Sequence, residues 1–258
     1  MKIATWNING VNRRLPLLVE WLTTAKPDIV ALQELKCVDD DFPRGALEAA
    51  GYGSLCVGQK TWNGVALLAR DAQPIEVRRA LPGDVADRQA RYLEAAIEGV
   101  LVASIYLPNG NPQPGPKYDY KRTWFDRLVA HAKTLVESGL PVALIGDYNV
   151  VPTDADIYPT TSYRDNALVQ PEPRATYASL LKQGWTDAIR ARHPSEPMYT
   201  FWDYMRKRWP RDAGLRIDHL LLSESLADLL EDAGVERELR GVEGASDHAP
   251  AWAIVNQG

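Results

Sequence analysis

Histidine is scarce in this chain, and so are cysteine, methionine and phenylalanine: of 258 residues, four are His, two Cys, three Met and three Phe. Two cysteines, Cys37 and Cys56, make no disulfide framework. Neither stands at metal-ligand spacing with a histidine, which argues against a thiolate zinc site and leaves reduced thiols as the expectation. No stretch approaches the roughly 18 uncharged apolar residues of a membrane span. The opening MKIATWNING has no long apolar segment and no small-residue cleavage site behind it, so no signal peptide, no membrane partner and a cytoplasmic protein are expected. Gly-x-Ser-x-Gly is absent, which disfavours a serine hydrolase. A basic excess is missing too: 29 Lys and Arg face 34 Asp and Glu, a net charge of -5. That removes a global nucleic-acid signal but not a local one. A carboxylate-rich site that holds a cation would also make the formal count misleading.

What is present suits one globular domain over 1–258, with 45% apolar and 24% charged residues. Short strands are expected at 2–6, 29–34, 64–70, 92–99, 100–108, 141–149, 200–204, 216–223 and 249–255. Leu15, Leu18, Val19 and Leu22 have helical spacing, and Pro27-Asp28 ends that helix. Further helices are expected at 42–50, 121–137 and 224–232, and on both sides of Gly184. The stretch 150–175 has no clear period, and long irregular segments in compact domains are often functional. Some strands have a polar face and others are apolar throughout. The pattern therefore predicts an α/β fold with helices packed outside a sandwich of sheets.

The informative residues stand at strand ends. Asn7 follows the first strand and Glu34 the second. Asp147 and Asn149 follow the apolar run VALIG. Asp218 lies in RIDHLLLS, and Asp247 and His248 precede the last strand in SDHAP. Taken singly, each has a plainer explanation: Asn7 with Gly10 as a turn, Glu34 as a helix cap, Asp147 as a strand exit, SDHAP as a capped turn. As a set they are oxygen donors on a rigid scaffold, with one imidazole among them. Such a shell suits Mg²⁺, with Mn²⁺ as an alternative, and points to phosphodiester or phosphomonoester hydrolysis. The other Asp-His pair, Asp218-His219, lies within a strand, where neighbours face opposite sides, so His219 is expected to be structural.

In order, IATWNING, LQELK, NGVALLAR, YLPNG, IGDYNV, YTFWDY, RIDHLLLS and SDHAP resemble the blocks of the exonuclease III family of DNA repair nucleases, within the endonuclease/exonuclease/phosphatase superfamily. The resemblance spans 2–255. It implies a four-layer α/β sandwich, two mixed β-sheets face to face with helices outside. It implies Asn7, Glu34 and Asp247 at the metal, with Glu34 the principal ligand. Tyr106 and Asn149 would lie at the scissile phosphate, with Asn109 beside Tyr106. Asp147 would orient or deprotonate the attacking water, and His248 would act at the phosphate, paired with Asp218. The implied substrate is double-stranded DNA with abasic sites or 3′ ends, handled by a monomer.

Basic and aromatic residues then become candidate DNA contacts: Arg206, Lys207, Arg208, Trp209, Arg211 and Arg216 in one run, Lys117, Tyr118, Tyr120 and Lys121 in a second, Arg164 and Asn166 in a third. Phe201, Trp202 and Leu215 would form the pocket for an extruded abasic sugar. Leu215 stands where some relatives carry tryptophan, which leaves open the balance between abasic-site incision and 3′→5′ exonuclease action. The alternatives are another phosphoesterase of the superfamily, acting on RNA 3′ ends or on lipid or inositol phosphates, and a DNA-binding protein without turnover.

Overall fold

A computed structural model describes residues 1–256. Twelve strands form two six-stranded sheets. In the first, β1 (Lys2–Asn7) and β2 (Ile29–Gln33) are central and parallel, joined through helix α1 (Leu15–Ala25). β3 (Tyr52–Val57) and β4 (Val65–Arg70) extend that sheet on one side. β11 (Leu230–Val235) and β12 (Ala251–Val255) extend it on the other, all antiparallel. The second sheet repeats the plan. β7 (Val100–Tyr106) and β8 (Val142–Asp147) are parallel and joined through α3 (Pro116–Glu137), flanked by β5 (Ile75–Arg78) and β6 (Tyr92–Ile97), and by β9 (Thr186–Asp187) and β10 (Asp218–Leu222).

Apolar residues on facing strands, among them Ile3, Ala31, Leu67, Val102, Ile145 and Leu220, fuse the sheets into one core. The outer face of the first sheet packs Ala4, Trp6 and Val30 against Leu18, Trp21 and Leu22 of α1 and Leu47 of α2 (Arg44–Ala49). The outer face of the second packs Ala103, Ile105 and Leu144 against α3 and α4 (Pro171–Lys182). Helix α3 turns Trp124, Leu128 and Leu135 inward at helical spacing, each fully buried apolar side chain contributing about 1.5–3 kcal/mol. The result is the four-layer α/β sandwich that the resemblance implied. One contact is unusually close: a Cβ on Gly146, at φ +152°, would lie 1.9 Å from the Ile105 carbonyl oxygen. Only glycine lets β8 lie against β7 there, one residue before Asp147.

Topology fixes where function can sit. The carboxyl ends of β1 and β2 in one sheet, and of β7 and β8 in the other, open at the same edge of the sandwich. Antiparallel β10 begins where β8 ends, with Asp218 opposite Asp147 and Tyr106 also level with Asp147.

Several expectations are corrected. The helix expected over 224–232 stops at Ala227, and Leu230–Val235 is edge strand β11. Its two exposed acids hide the alternation, and Gly234 leaves room for the Trp252 ring. Residues 200–204 form no strand; Phe201 makes only isolated bridges to Leu215 and His248. The helix expected at 121 begins at Pro116. Exposed edge strand β5, with β3 and the two-residue β9, escaped the sequence reading.

Arg216 is not a surface cation. It is 1% exposed and donates to Asp156 at 2.6 Å, to Asp187 at 2.7 Å and to Nδ1 of His219 at 3.0 Å. Nε2 of His219 lies 3.0 Å from the Val150 carbonyl, which assigns the neutral Nε2–H tautomer, so His219 is structural as expected. Burial, then the Arg216 charge, pushes its pKa down to about 4. A histidine depressed on folding stabilises the fold above its ordinary value, and that contribution fades as pH falls from 6.5 through 4. In urea unfolding, the stability gap between wild type and His219→Gln is expected to shrink on going from pH 7 to pH 4, by up to about 3 kcal/mol. A gap independent of pH would contradict a neutral His219.

Candidate active site

Six of the polar residues singled out at strand ends meet where the strands of the two sheets converge. The Asn7 carboxamide donates to Glu34 and to Asp147, 2.9 Å to each. It thus ties the end of β1 to the end of β8 across the sandwich. The Asn149 main-chain N–H donates to Asp147 Oδ1 at 2.8 Å, and its side-chain amide reaches Oδ2 at 3.2 Å and the Leu107 carbonyl at 2.9 Å. Asn109 donates to Asn149 Oδ1 at 2.9 Å. His248 sets Nδ1 2.8 Å from Asp218 Oδ2 and turns Nε2 toward Asp147, 3.9 Å away. Thr200 donates to the same Asp218 oxygen at 2.6 Å. The turn that carries His248 is anchored to β1: Ser246 donates to the Asn7 carbonyl, and the Trp6 indole to the His248 carbonyl. Glu34, at φ 53°, and Asn149, at φ 47°, adopt the left-handed region that side chains other than glycine rarely occupy. Such strain concentrates at functional sites.

The electrostatics follow from crowding carboxylates in a dry space. Burial raises Asp147 to about 7, opposed by His248 and assisted by Asp218. Burial alone would lower His248, but Asp218, followed by Asp147 and Asp247, holds it up at about 10. The ring is therefore a cation at neutral pH, and Asp147 titrates near neutrality, as a proton acceptor should. Burial raises Glu34 as well, but Lys36 and Asn7 outweigh it and bring the carboxyl below its usual range. Burial, and then Glu34, keeps the Tyr106 hydroxyl protonated.

Two groups could hold a divalent cation. Asp147, Asp218 and His248 bring ligand atoms within 4.8 Å of one another. That set is engaged internally: one Asp218 oxygen serves His248 and Thr200, and the other is sealed from solvent without a partner. The second group is more open. Lys36 Nζ lies 2.9 Å from Glu34 Oε2 and 2.5 Å from Asn9 Oδ1, and Asn9 donates to Asp247 at 2.9 Å. One carboxylate and one amide oxygen hold an ammonium there, with the Asp247 carboxylate bonded to the same amide, and oxygen donors of this kind fit a hard cation. Asn7 serves this group as an orienting donor, its nitrogen turned to Glu34. Lys36 and Asn9 escaped the sequence reading, although both lie in the motifs WNING and LQELK.

A cavity of about 510 Å³ adjoins the reacting end. Asn109, Asn166, Arg206 and Arg208 line it with Phe201, whose ring lies 4.9 Å from that of His248. A second cleft, of about 580 Å³, brings Lys117 near Tyr106, with Arg91 and an exposed Trp62. Lys207, Arg211 and Arg164 are exposed outside both cavities, and Arg164 pairs with Asp165.

Other candidates are corrected. Trp202 is 1% exposed, donates to Asp212 and packs edge-on against Trp209, so it belongs to the scaffold. Trp209 is half-buried in that stack beside Arg237 and Arg240, and is not free to wedge into a duplex. Leu215 is also 1% exposed. It pairs its backbone with Phe201 and backs the cavity wall. Tyr118 is buried on Glu172. Lys121 is buried beneath the site and donates to the carbonyls of Asn109, Asn149 and Ala167, fastening three loops.

The Endonuclease/Exonuclease/phosphatase family profile matches residues 4–248. Exodeoxyribonuclease III of Haemophilus influenzae is 34% identical over 98% of this chain and 99% of its own. The structure of a 3′ phosphatase from Neisseria bound to a product DNA hairpin superposes with a TM-score of 0.95 at 38% identity, over 99% of each chain. An AP endonuclease from Archaeoglobus fulgidus gives 0.95 at 32% identity, again over 99% of each.

The two candidate cation groups are separable by titrating Mn²⁺ against the thermal stability of metal-free protein. Glu34→Gln is expected to weaken binding at least about tenfold, and Asp218→Asn by less than about threefold. The reverse order would move the ion to the buried set.

Proposed function

Because this chain belongs to the endonuclease/exonuclease/phosphatase family, in its exonuclease III branch, we propose that it hydrolyses phosphodiester bonds of damaged duplex DNA, cutting 5′ to abasic sites and processing 3′ ends. One observation carries the reading: the bonded series Glu34–Asn7–Asp147, with His248–Asp218 facing it, opens beside a cavity lined by Arg206, Arg208 and Asn109. The Haemophilus relative and the DNA-bound Neisseria structure support DNA as the substrate. The chain carries the whole catalytic set, which suits a monomer. Cys37 and Cys56 are both buried and unpaired, which suits a reducing compartment such as the cytoplasm.

In the proposed reaction, Asp147 orients a water for in-line attack on phosphorus and accepts its proton. The Asn149 bonds fix the carboxylate for that task. The His248 cation and the Tyr106 hydroxyl face the non-bridging oxygens and stabilise the charge that gathers there. Asp218 keeps His248 charged and oriented. Glu34 and Asp247 would hold Mg²⁺, or Mn²⁺ in its place, which supplies further charge neutralisation at the phosphate when bound. The bond from phosphorus to the upstream 3′ oxygen breaks, that oxygen takes a proton from solvent water, and Asp147 returns the proton it accepted to solvent. The products are a 3′-hydroxyl and a 5′-phosphate.

The test is a labelled duplex with one internal abasic analogue, beside an undamaged duplex with a recessed 3′ end. A single Mg²⁺-dependent cut 5′ to the analogue is expected, abolished by EDTA. Asp147→Asn is expected to lower kcat by roughly 10²–10⁴-fold. Hydrolysis of RNA or a small phosphorylated molecule, with neither duplex touched, would keep the phosphoesterase and discard the DNA repair role.

A further inference from the structure

Arg208 is a buried cation without an anion. It is 7% exposed, yet among the described residues its guanidinium faces no carboxylate. Its side chain donates to the Ser162 hydroxyl at 3.2 Å, and its Nε has no partner. It is held in place by two rings, Tyr158 at 4.9 Å and Tyr163 at 5.0 Å. Arg216, by contrast, is matched by two carboxylates, while Arg14 and Arg240 donate to main-chain carbonyls. Cation–π contact offsets only part of the cost of burying a charge. Arg208 lines the cavity of about 510 Å³. Asp203 lines it too but makes no ion pair with Arg208. The same cavity reaches the reaction centre through Phe201, against His248, and through Asn109, which is bonded to Asn149.

Such a fixed, uncompensated guanidinium calls for an anion supplied by the ligand, and the anions of DNA are its phosphates. The scissile phosphate already has His248, Tyr106 and Asn149. The residue best suited to a cavity walled by Phe201, Leu168 and Tyr163 is a sugar without a base, which leaves the stack at low cost. When the cut is 5′ to that sugar, the next phosphate along the strand is the one on its 3′ side. We propose that Arg208 forms a subsite for this second phosphate. The proposal rests on the reading of the site given above and deepens it. An abasic residue inside a strand carries the second phosphate, whereas a 3′-terminal residue ends in a hydroxyl. Arg208 therefore tilts the enzyme toward internal incision.

The test uses two duplexes with an internal tetrahydrofuran residue, one natural and one with an uncharged methylphosphonate replacing the phosphate on its 3′ side. For wild type, the neutral linkage is expected to lower kcat/KM about tenfold or more. Arg208→Met is expected to show a similar loss on the natural duplex and, as in a double-mutant cycle, less than about a threefold further loss on the neutral one. Arg208→Lys should recover part of the discrimination, because it keeps the charge. If Arg208→Met does not fold, the two wild-type rates decide alone. Equal incision of both duplexes by wild type would overturn the subsite and leave the nuclease intact. No incision of either would overturn the nuclease reading, and the subsite with it.

Discussion

One carboxamide bridges the two sheets at the site itself. Asn7 ends a strand of one sheet and donates to Glu34 of its own sheet and to Asp147 of the other. Both acceptors are carboxylates in a poorly solvated space, where like charges repel strongly. Bringing them together requires donors between them and cations nearby. The Asn7 nitrogen, the Asn149 amide groups, Lys36 and the His248 ring meet that requirement. The rest of the architecture serves to hold them: two parallel strand pairs, one per sheet, packed so that their carboxyl ends share an edge.

The same constraint orders the chemistry. Asp147 is raised toward neutrality because it is buried among carboxylates. His248 stays charged because Asp218, fixed in turn by Thr200, lies against its far nitrogen. A carboxylate able to take a proton and an imidazolium able to face a phosphate result from one packing arrangement. The more open group of oxygens around Glu34, Asn9 and Asp247, held by Lys36, gathers a short distance away. The loops that bear Asn109 and Asn149 are fastened from below by Lys121, whose ammonium contacts three carbonyls.

The converging polar residues could be picked out in the sequence because they break a local rule. Asn7, Glu34, Asp147 and Asp218 stand at the ends of strands that are otherwise nearly all apolar, where polar residues carry a cost. The sandwich followed from the mixture of fully apolar and half-polar strands. The edge strands β5 and β11 did not, because edges are kept charged and exposed and lose their alternation. The placement of the candidate DNA contacts was legible only in part. In the run 206–216, sequence gives the charge but not the direction: Arg216 enters the core, Trp209 stacks inward, and Arg206 and Arg208 reach the cavity. Lys36 escaped notice, and Lys121 read as a surface DNA contact, for the opposite reason: a lysine in a polar stretch reads as surface, and only tertiary structure shows carboxylates or carbonyls converging on it.

The chemistry proposed for the site requires His248 to be a cation held by Asp218, and long-range ¹H–¹⁵N spectra of its ring report this directly. In metal-free wild type at pH 8, both ring nitrogens are predicted to be protonated, in keeping with a pKa of about 10. In Asp218→Asn the ring should be neutral at that pH. A neutral His248 ring in wild type at pH 7 would contradict the account.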